Sequence, residues 1–175
     1  MSESFKEGAF ALGCNYWASH AGTNMWQDWR PEIVREDLRQ LAASGLKGIR
    51  CFPLWPDFQP LACLKGNGGF RVEMRVNGKP VRYGNAIEEA GVSPLMMARF
   101  KDFADEAEES GLKLIVGLVT GWMSGRLFVP PAFENLNALA DPFVVAWQIR
   151  YVRAFAAYFK DHPAIAAWDL GNECN

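Results

Sequence analysis

The sequence alternates four short apolar segments with three segments of helical periodicity, and this alternation limits the folds open to the chain. We predict strands at the apolar segments, which are Ala9–Tyr16, Leu46–Phe52, Leu112–Val119 and Ala164–Leu170. After the first of them, Val34, Leu38 and Leu41 recur at the spacing of one helix face. Strands that alternate with helices pair in parallel through right-handed crossovers. The sequence therefore predicts an α/β fold built on a parallel sheet.

Capping residues mark where the second and third predicted helices begin. Pro94 and Pro142 stand where a first helical turn tolerates proline, and Ser93 and Asp141 precede them as N-caps. We therefore expect each of these helices to begin at its proline.

Two further patterns concern the connections. The tetrapeptide SGLK joins a helix to a strand twice, at residues 44–47 and 110–113, as in a barrel of equivalent βα units. The long connection from Pro53 to Val92 contains VEMRVNGKPV, whose Asn-Gly pair favours a tight hairpin turn. We predict a small β-hairpin insertion after the second strand.

Composition and charge exclude several classes of function. Half of the 175 residues are hydrophobic, and a net charge of −2 comes from acidic and basic residues that are interspersed. The chain has no broad basic face for nucleic acid or anionic lipid, so we expect neither as a partner. It also has no apolar run long enough for a membrane span and no secretory signal at its start, which predicts a cytoplasmic chain as it stands and leaves its localisation open.

Cysteine and histidine are too few and too scattered to suggest a metal site. The sequence has two histidines and no CxxC pair among its four cysteines, which are Cys14, Cys51, Cys63 and Cys174. We expect no metal, no cofactor and reduced thiols, although a disulfide stays open.

Polar and aromatic residues gather after the predicted strands, where the ligands of a βα barrel bind. Five of the seven tryptophans follow strand ends, namely Trp17, Trp26, Trp29, Trp55 and Trp122. Indole rings stack on the apolar face of sugars, but loop tryptophans also pack over a barrel as plain core residues. As a group, they favour a sugar-binding rim.

Charged residues at two strand ends need partners. Arg50 ends the second strand and requires either a carboxylate or a water-filled cleft, and a purely structural ion pair is the alternative. Strand alternation puts Asp169, Gly171 and Glu173 on one face of the fourth strand, so an inward-facing Asp169 would need hydrogen-bond donors.

Three motifs carry a family resemblance that extends over essentially the whole chain. The segments GCNYW, RCFPLWPDFQP and WDLGNE follow or end the first, second and fourth strands. In this order they resemble the clan A retaining glycoside hydrolases, and among these the family-five cellulases and mannanases. The resemblance implies that Glu173 is the general acid/base, that Asn172 holds the sugar 2-hydroxyl and that Arg50 is the strand-two arginine. From their position after the predicted strands, we also expect Asn15, Trp17, Trp55 and Trp122 to bind the substrate.

The resemblance also implies a nucleophilic glutamate at the end of a seventh strand, and no residue of this sequence matches it. Retaining glycosidases need two carboxyl groups roughly 5 to 5.5 Å apart. A complete (β/α)₈ barrel takes about 250 residues, so we expect residues 1–175 to form one partial domain, the N-terminal half of a TIM barrel. On this interpretation the substrate is a β-linked oligo- or polysaccharide such as mannan or cellulose.

Several expectations follow from a half-barrel. The chain alone should be inactive, and its exposed sheet edges should bind a missing C-terminal half or another copy. One alternative is a non-catalytic carbohydrate-binding or assembly module on a half-barrel. Another is an unrelated α/β protein in which Gly-Asn-Glu is an ordinary strand end.

Overall fold

The computed structural model describes residues 10–82 and 84–173 of the chain. In chain order the elements are β1 (Gly13–Asn15), α1 (Pro31–Ala43), β2 (Gly48–Cys51), α2 (Trp55–Phe58), β3 (Leu61–Lys65), β4 (Arg71–Val76), β5 (Lys79–Pro80), α3 (Ala86–Ala90), α4 (Pro94–Glu109), β6 (Lys113–Thr120), β7 (Trp122–Met123), β8 (Arg126–Leu127), a 3₁₀ turn (Pro131–Phe133), α5 (Pro142–Phe159) and β9 (Ile165–Asn172). The predicted strand residue Ala9 and the predicted thiol of Cys174 lie outside the described residues.

A four-stranded parallel sheet with the order β1-β2-β6-β9 forms the centre of the fold. Its strands are the four that the apolar segments predict, and each neighbour is reached through a helix. The register places Asn15 beside Arg50, Arg50 beside Ile115 and Ile115 beside Ala167. The predicted α/β class and its parallel strand order are confirmed.

The second and third predicted helices, α4 and α5, begin at Pro94 and Pro142 as the sequence predicts. Ser93 Oγ accepts a hydrogen bond from the backbone N–H of Met96 at 3.4 Å, and Asp141 Oδ1 accepts one from Phe143 at 2.8 Å. These side chains satisfy donors that a helix N-terminus leaves without partners. None of the described helices is both long enough and apolar enough to cross a membrane.

The two faces of the sheet differ in burial. On the face covered by α1, α4 and α5, Ile49, Leu114 and Val116 are at most 1% exposed. On the other face Arg50 and Ile115 are only partly buried. Thus one face is closed by helices while the other remains open, as expected for the first four strands of a βα barrel seen without the rest of its wall.

The insertion after β2 is a three-stranded antiparallel sheet of β3, β4 and β5. Its β4–β5 turn is made by Asn77 and Gly78 with φ of 50° and 76°, the two positive values that a tight hairpin turn requires. The predicted hairpin is confirmed, and β3 adds a third strand to it.

Candidate active site

Arg50 connects the second and fourth strands of the parallel sheet. Its Nε donates to Asp169 Oδ2 at 2.7 Å, and its Nη2 donates to the same oxygen. Its Nη1 donates to Asn172 Oδ1 at 3.0 Å, and its Nη2 also lies 3.3 Å from the carbonyl oxygen of Gly171. Arg50 and Asp169 are 26% and 30% exposed, so the pair is partly shielded from water. The guanidinium group therefore holds the carboxyl end of β9 in place.

Asn172 is oriented by hydrogen bonds to residues on two different strands. While its Oδ1 accepts from Arg50, its Nδ2 donates to the backbone carbonyl of Trp122 at 2.6 Å. This pairing assigns the oxygen and nitrogen of the amide, because only the nitrogen can donate. The Asn172 side chain thus bridges the ends of β2 and β7.

Glu173 follows the last paired residue of β9 in an unusual backbone conformation. Its φ is 51°, in the left-handed region that residues other than glycine rarely adopt. Such conformations cost of order 1–3 kcal/mol and cluster at functional sites. Because β9 ends at Asn172, the alternation of side chains along the strand does not extend to Glu173. Alternation therefore gives no reason for Asp169 and Glu173 to share a face. Glu173 is exposed and is one of the residues that line a cavity.

This cavity has a volume of about 200 Å³ and lies between β6, the β7–β8 hairpin and the loop before α5. Its walls are mostly apolar, with side chains that include Trp55, Val119, Trp122, Leu127, Val129 and Leu139. Among the described residues that line it, Asn137 and Glu173 have polar side chains, and Trp55 and Trp122 each carry one indole N–H. No second carboxylate of the described chain faces this cavity.

An aromatic stack lies beside the arginine. Trp17 stacks on Phe52 with ring centroids 5.2 Å apart, and the Arg50 guanidinium lies 4.7 Å from the Phe52 centroid. A Cβ atom added to Gly117 would lie 2.8 Å from the Phe52 ring. Glycine at 117 therefore gives Phe52 the space to lie across β6 next to Arg50.

Buried titratable groups near the site have structural partners. Burial raises the pKa of the Asp57 carboxyl, which a hydrogen bond from Gln27 at 2.8 Å partly opposes. Burial also raises the pKa of Tyr151, whose hydroxyl donates to the carbonyl oxygen of Pro53 at 2.9 Å. Neither residue lines the cavity. Across residues 10–82 and 84–173, no three histidine, cysteine, aspartate or glutamate side chains converge as a metal ion would require.

Known proteins with similar sequences and structures are mannosidases and related glycoside hydrolases. No family model matches the chain. Over 96% of its length the chain is 26% identical to mannan endo-1,4-beta-mannosidase A of Podospora anserina, of which it covers 41%. It is 29% identical to the exo-beta-1,4-mannosidase Op5Man5 of Opitutaceae bacterium strain TAV5, with a TM-score of 0.73 over 93% of this chain and 24% of that one. It is also 29% identical to a GH5_18 variant of Streptomyces cattleya solved in complex with Manβ1-4GlcNAc, with a TM-score of 0.71 over 94% of this chain and 34% of that one. The chain is related to the family-five glycoside hydrolases.

The chain spans well under half the length of the family-five proteins that it matches. The matched part contains four parallel strands, half of the eight in a TIM barrel. The predicted N-terminal half-barrel and the predicted family-five relationship are confirmed.

The structure brings together some of the residues that the family-five resemblance singles out. Arg50 and Asn172 are in direct contact, and Asn172 also binds the backbone of Trp122. Glu173 follows Asn172 and shares a cavity with Trp122 and Trp55. Their roles in catalysis and substrate binding stay predictions.

The remaining predicted residues lie around this group with different exposure. Asn15 is exposed beside Arg50 at the end of β1, and Trp122 is 46% exposed. Trp55 is only 1% exposed, since its ring packs on Phe133, which leaves little indole surface for a sugar. Trp26, another of the loop tryptophans, is a fully buried core residue. Trp26 therefore packs in the core and has no exposed ring face on which a sugar could stack.

Proposed function

We propose that the chain supplies the acid/base half of the active site of a retaining β-glycosidase, with Glu173 as the general acid/base. The observation that carries this proposal is the bond between Arg50 and Asn172, which fixes the residue next to Glu173 at the carboxyl end of a barrel strand. Asn172 binds the 2-hydroxyl of the sugar in the proposed complex, and Arg50 holds Asn172 and Asp169 for that task.

Retention of configuration requires a second carboxyl group about 5 to 5.5 Å from the first. Asp169 is unsuited to this role, because one of its oxygens already accepts two hydrogen bonds from Arg50 and the other accepts from the backbone N–H of Gly171 at 3.2 Å. The nucleophile in this proposal therefore belongs to the second half of a barrel. Glu173 protonates the glycosidic oxygen in the first step and removes a proton from water in the second.

A β-mannoside is the proposed substrate class. The support comes from the relatives, whose names describe endo- and exo-acting mannosidases, and from a related enzyme solved with Manβ1-4GlcNAc. Cellulose-type glucans are the second substrate class to be assayed, because the family resemblance of the strand motifs includes cellulases as well as mannanases.

A chimera tests the proposal. The chain would be joined to the C-terminal half-barrel of the Streptomyces cattleya GH5_18 enzyme, which supplies strands five to eight. We expect the folded chimera to release nitrophenol from 4-nitrophenyl β-D-mannoside, and Glu173→Gln to reduce turnover at least about a hundredfold, the usual contribution of general acid/base catalysis.

The matched control is Asp161→Asn, which removes an exposed carboxylate of the same chain away from the cavity. It should leave turnover unchanged. A chimera that melts cooperatively but is inactive, or one whose turnover Glu173→Gln does not affect, would contradict the proposal and favour a non-catalytic binding module.

A further inference from the structure

The cavity beside Glu173 differs in character from a site for a bare sugar. A sugar ring carries hydroxyl groups on most of its carbons, and each loses free energy if it is buried without a hydrogen-bond partner. The polar side-chain groups of the described lining are those of Asn137 and Glu173 and the indole N–H groups of Trp55 and Trp122, and the Trp55 N–H already donates to Gln59 Oε1 at 2.6 Å. Asn137 Oδ1 already accepts from the backbone N–H groups of Leu139 and Ala140, both at 3.0 Å. The cavity therefore suits a group with few polar atoms.

Large apolar side chains that line this cavity are partly exposed. Trp122, Leu127 and Leu139 are 46%, 44% and 51% exposed, and all three line it. Val119 and Val129 add buried walls at 8% and 9% exposure. Clusters of exposed apolar groups on a soluble protein commonly mark a binding surface. Here the cluster surrounds a concave space rather than a flat one.

The position of Glu173 relates this space to the reaction. Glu173 borders the cavity, whereas Arg50, Asn172 and Trp17 do not. In the proposed reaction Asn172 binds the sugar that is attacked, and the carboxyl group of Glu173 contacts the oxygen that leaves. The cavity consequently lies where the group attached to that oxygen would be.

We propose that this cavity is a leaving-group pocket for an apolar substituent, so that the preferred substrates are β-glycosides whose aglycone has an aromatic or alkyl group of about the size of a benzene ring. The inference rests on the proposed function, and it adds a preference for the chemical type of the leaving group. The volume agrees with this size, because an apolar cavity of about 150 Å³ binds benzene and this one has about 200 Å³.

Binding to the 175-residue chain tests the inference without requiring turnover. Saturation-transfer NMR and titrations would compare phenyl β-D-mannopyranoside with methyl β-D-mannopyranoside. We expect the phenyl glycoside to bind about tenfold more tightly, because burial of a phenyl ring removes apolar area from water. Saturation should be strongest on the aromatic protons.

Leu139→Asn should abolish the preference for the phenyl glycoside by making the cavity wall polar. Leu95→Asn is the matched control, because Leu95 is equally exposed at 56% but does not line the cavity. Circular dichroism would establish that both variants keep the fold.

Equal binding of the two glycosides, no binding of either, or a phenyl preference that survives Leu139→Asn would each overturn the inference. The proposed function is judged separately, by the dependence of the chimera's turnover on Glu173. An active chimera with no phenyl preference would therefore refute the pocket alone.

Discussion

Arg50 Nη1 lies 3.0 Å from Asn172 Oδ1, although the two residues are 122 positions apart in the chain. The same guanidinium group binds Asp169, so one side chain on β2 fixes two side chains on β9 across the intervening strand β6. Partly buried hydrogen bonds of this kind are stronger than exposed ones, because water competes less for the donors. The position of Asn172, next to Glu173, therefore depends on a residue two strands away in the sheet.

Arg50→Lys should destabilise the chain by about 1–3 kcal/mol, because a lysine cannot reproduce the fork that binds Asp169 and Asn172 together. Arg30→Lys is the comparison, since the Arg30–Asp28 pair is exposed on both sides, at 51% and 41%. Urea unfolding would measure both free energies. Equal losses in the two variants would mean that the Arg50 network adds nothing beyond a surface ion pair.

Gly117→Ala should cost about 1–3 kcal/mol in the free energy of unfolding, because the new methyl group would lie 2.8 Å from the buried Phe52 ring. At Gly121 the nearest atom to an added Cβ is 3.4 Å away, so Gly121→Ala is the control. Thermal and urea unfolding would compare the two. If Gly117→Ala proved as stable as Gly121→Ala, the close approach of Phe52 to β6 would be disproved.

The 175-residue chain should hydrolyse no β-glycoside by itself, because its described residues place no second carboxylate at the cavity beside Glu173. Assays with 4-nitrophenyl β-D-mannoside and with mannan oligosaccharides would measure this. Turnover that disappears on Glu173→Gln would show that a complete catalytic pair exists within the chain.

The chain should associate in solution through its open sheet edges, since Leu12 and Leu170 are 53% and 67% exposed beside β1 and in β9. Leu170→Lys should reduce the associated fraction in sedimentation velocity by placing a charge on an edge strand. Leu95→Lys, on the outer side of α4, should not. A monodisperse wild-type monomer that melts cooperatively would contradict this prediction.

Acid should destabilise the chain partly through Asp105. Burial acts to raise the pKa of this carboxyl, but hydrogen bonds from Lys101 at 2.6 Å and His162 at 3.0 Å outweigh it and lower the pKa below its ordinary 3.8. A carboxyl whose pKa is lower in the folded state stabilises that state above its unfolded pKa, and the benefit disappears as the pH falls through the folded pKa. Melting temperatures should therefore fall less steeply below pH 3.8 in Asp105→Asn than in the wild-type chain; parallel curves would exclude a contribution from Asp105.

Local patterns in the sequence predict much of this fold because local forces determine it. Apolar periodicity predicts the four parallel strands and the long helices, and Asn77-Gly78 predicts a turn that only positive φ values can make. The β7–β8 hairpin has a comparable signal in Ser124-Gly125, with φ of 52° and 71°, but the sequence analysis did not predict this hairpin.

Non-local packing determines what the sequence could not predict. Trp55 follows a strand as a sugar-binding residue would, but the short helix α2 directs its ring onto Phe133, far along the chain. The cavity likewise combines Leu127, Val129 and Leu139 with Glu173, and no motif connects these residues. The left-handed conformation of Glu173 is equally invisible to strand alternation.

The closed helix-covered core on one face of the sheet has a consequence for how such enzymes diversify. Because the proposed acid, its asparagine and arginine neighbours and the adjoining cavity all belong to this one half-barrel, recombination could exchange the complementary gene segment without separating them. One gene segment would then determine which leaving group is preferred, and the other would supply the attacking carboxylate.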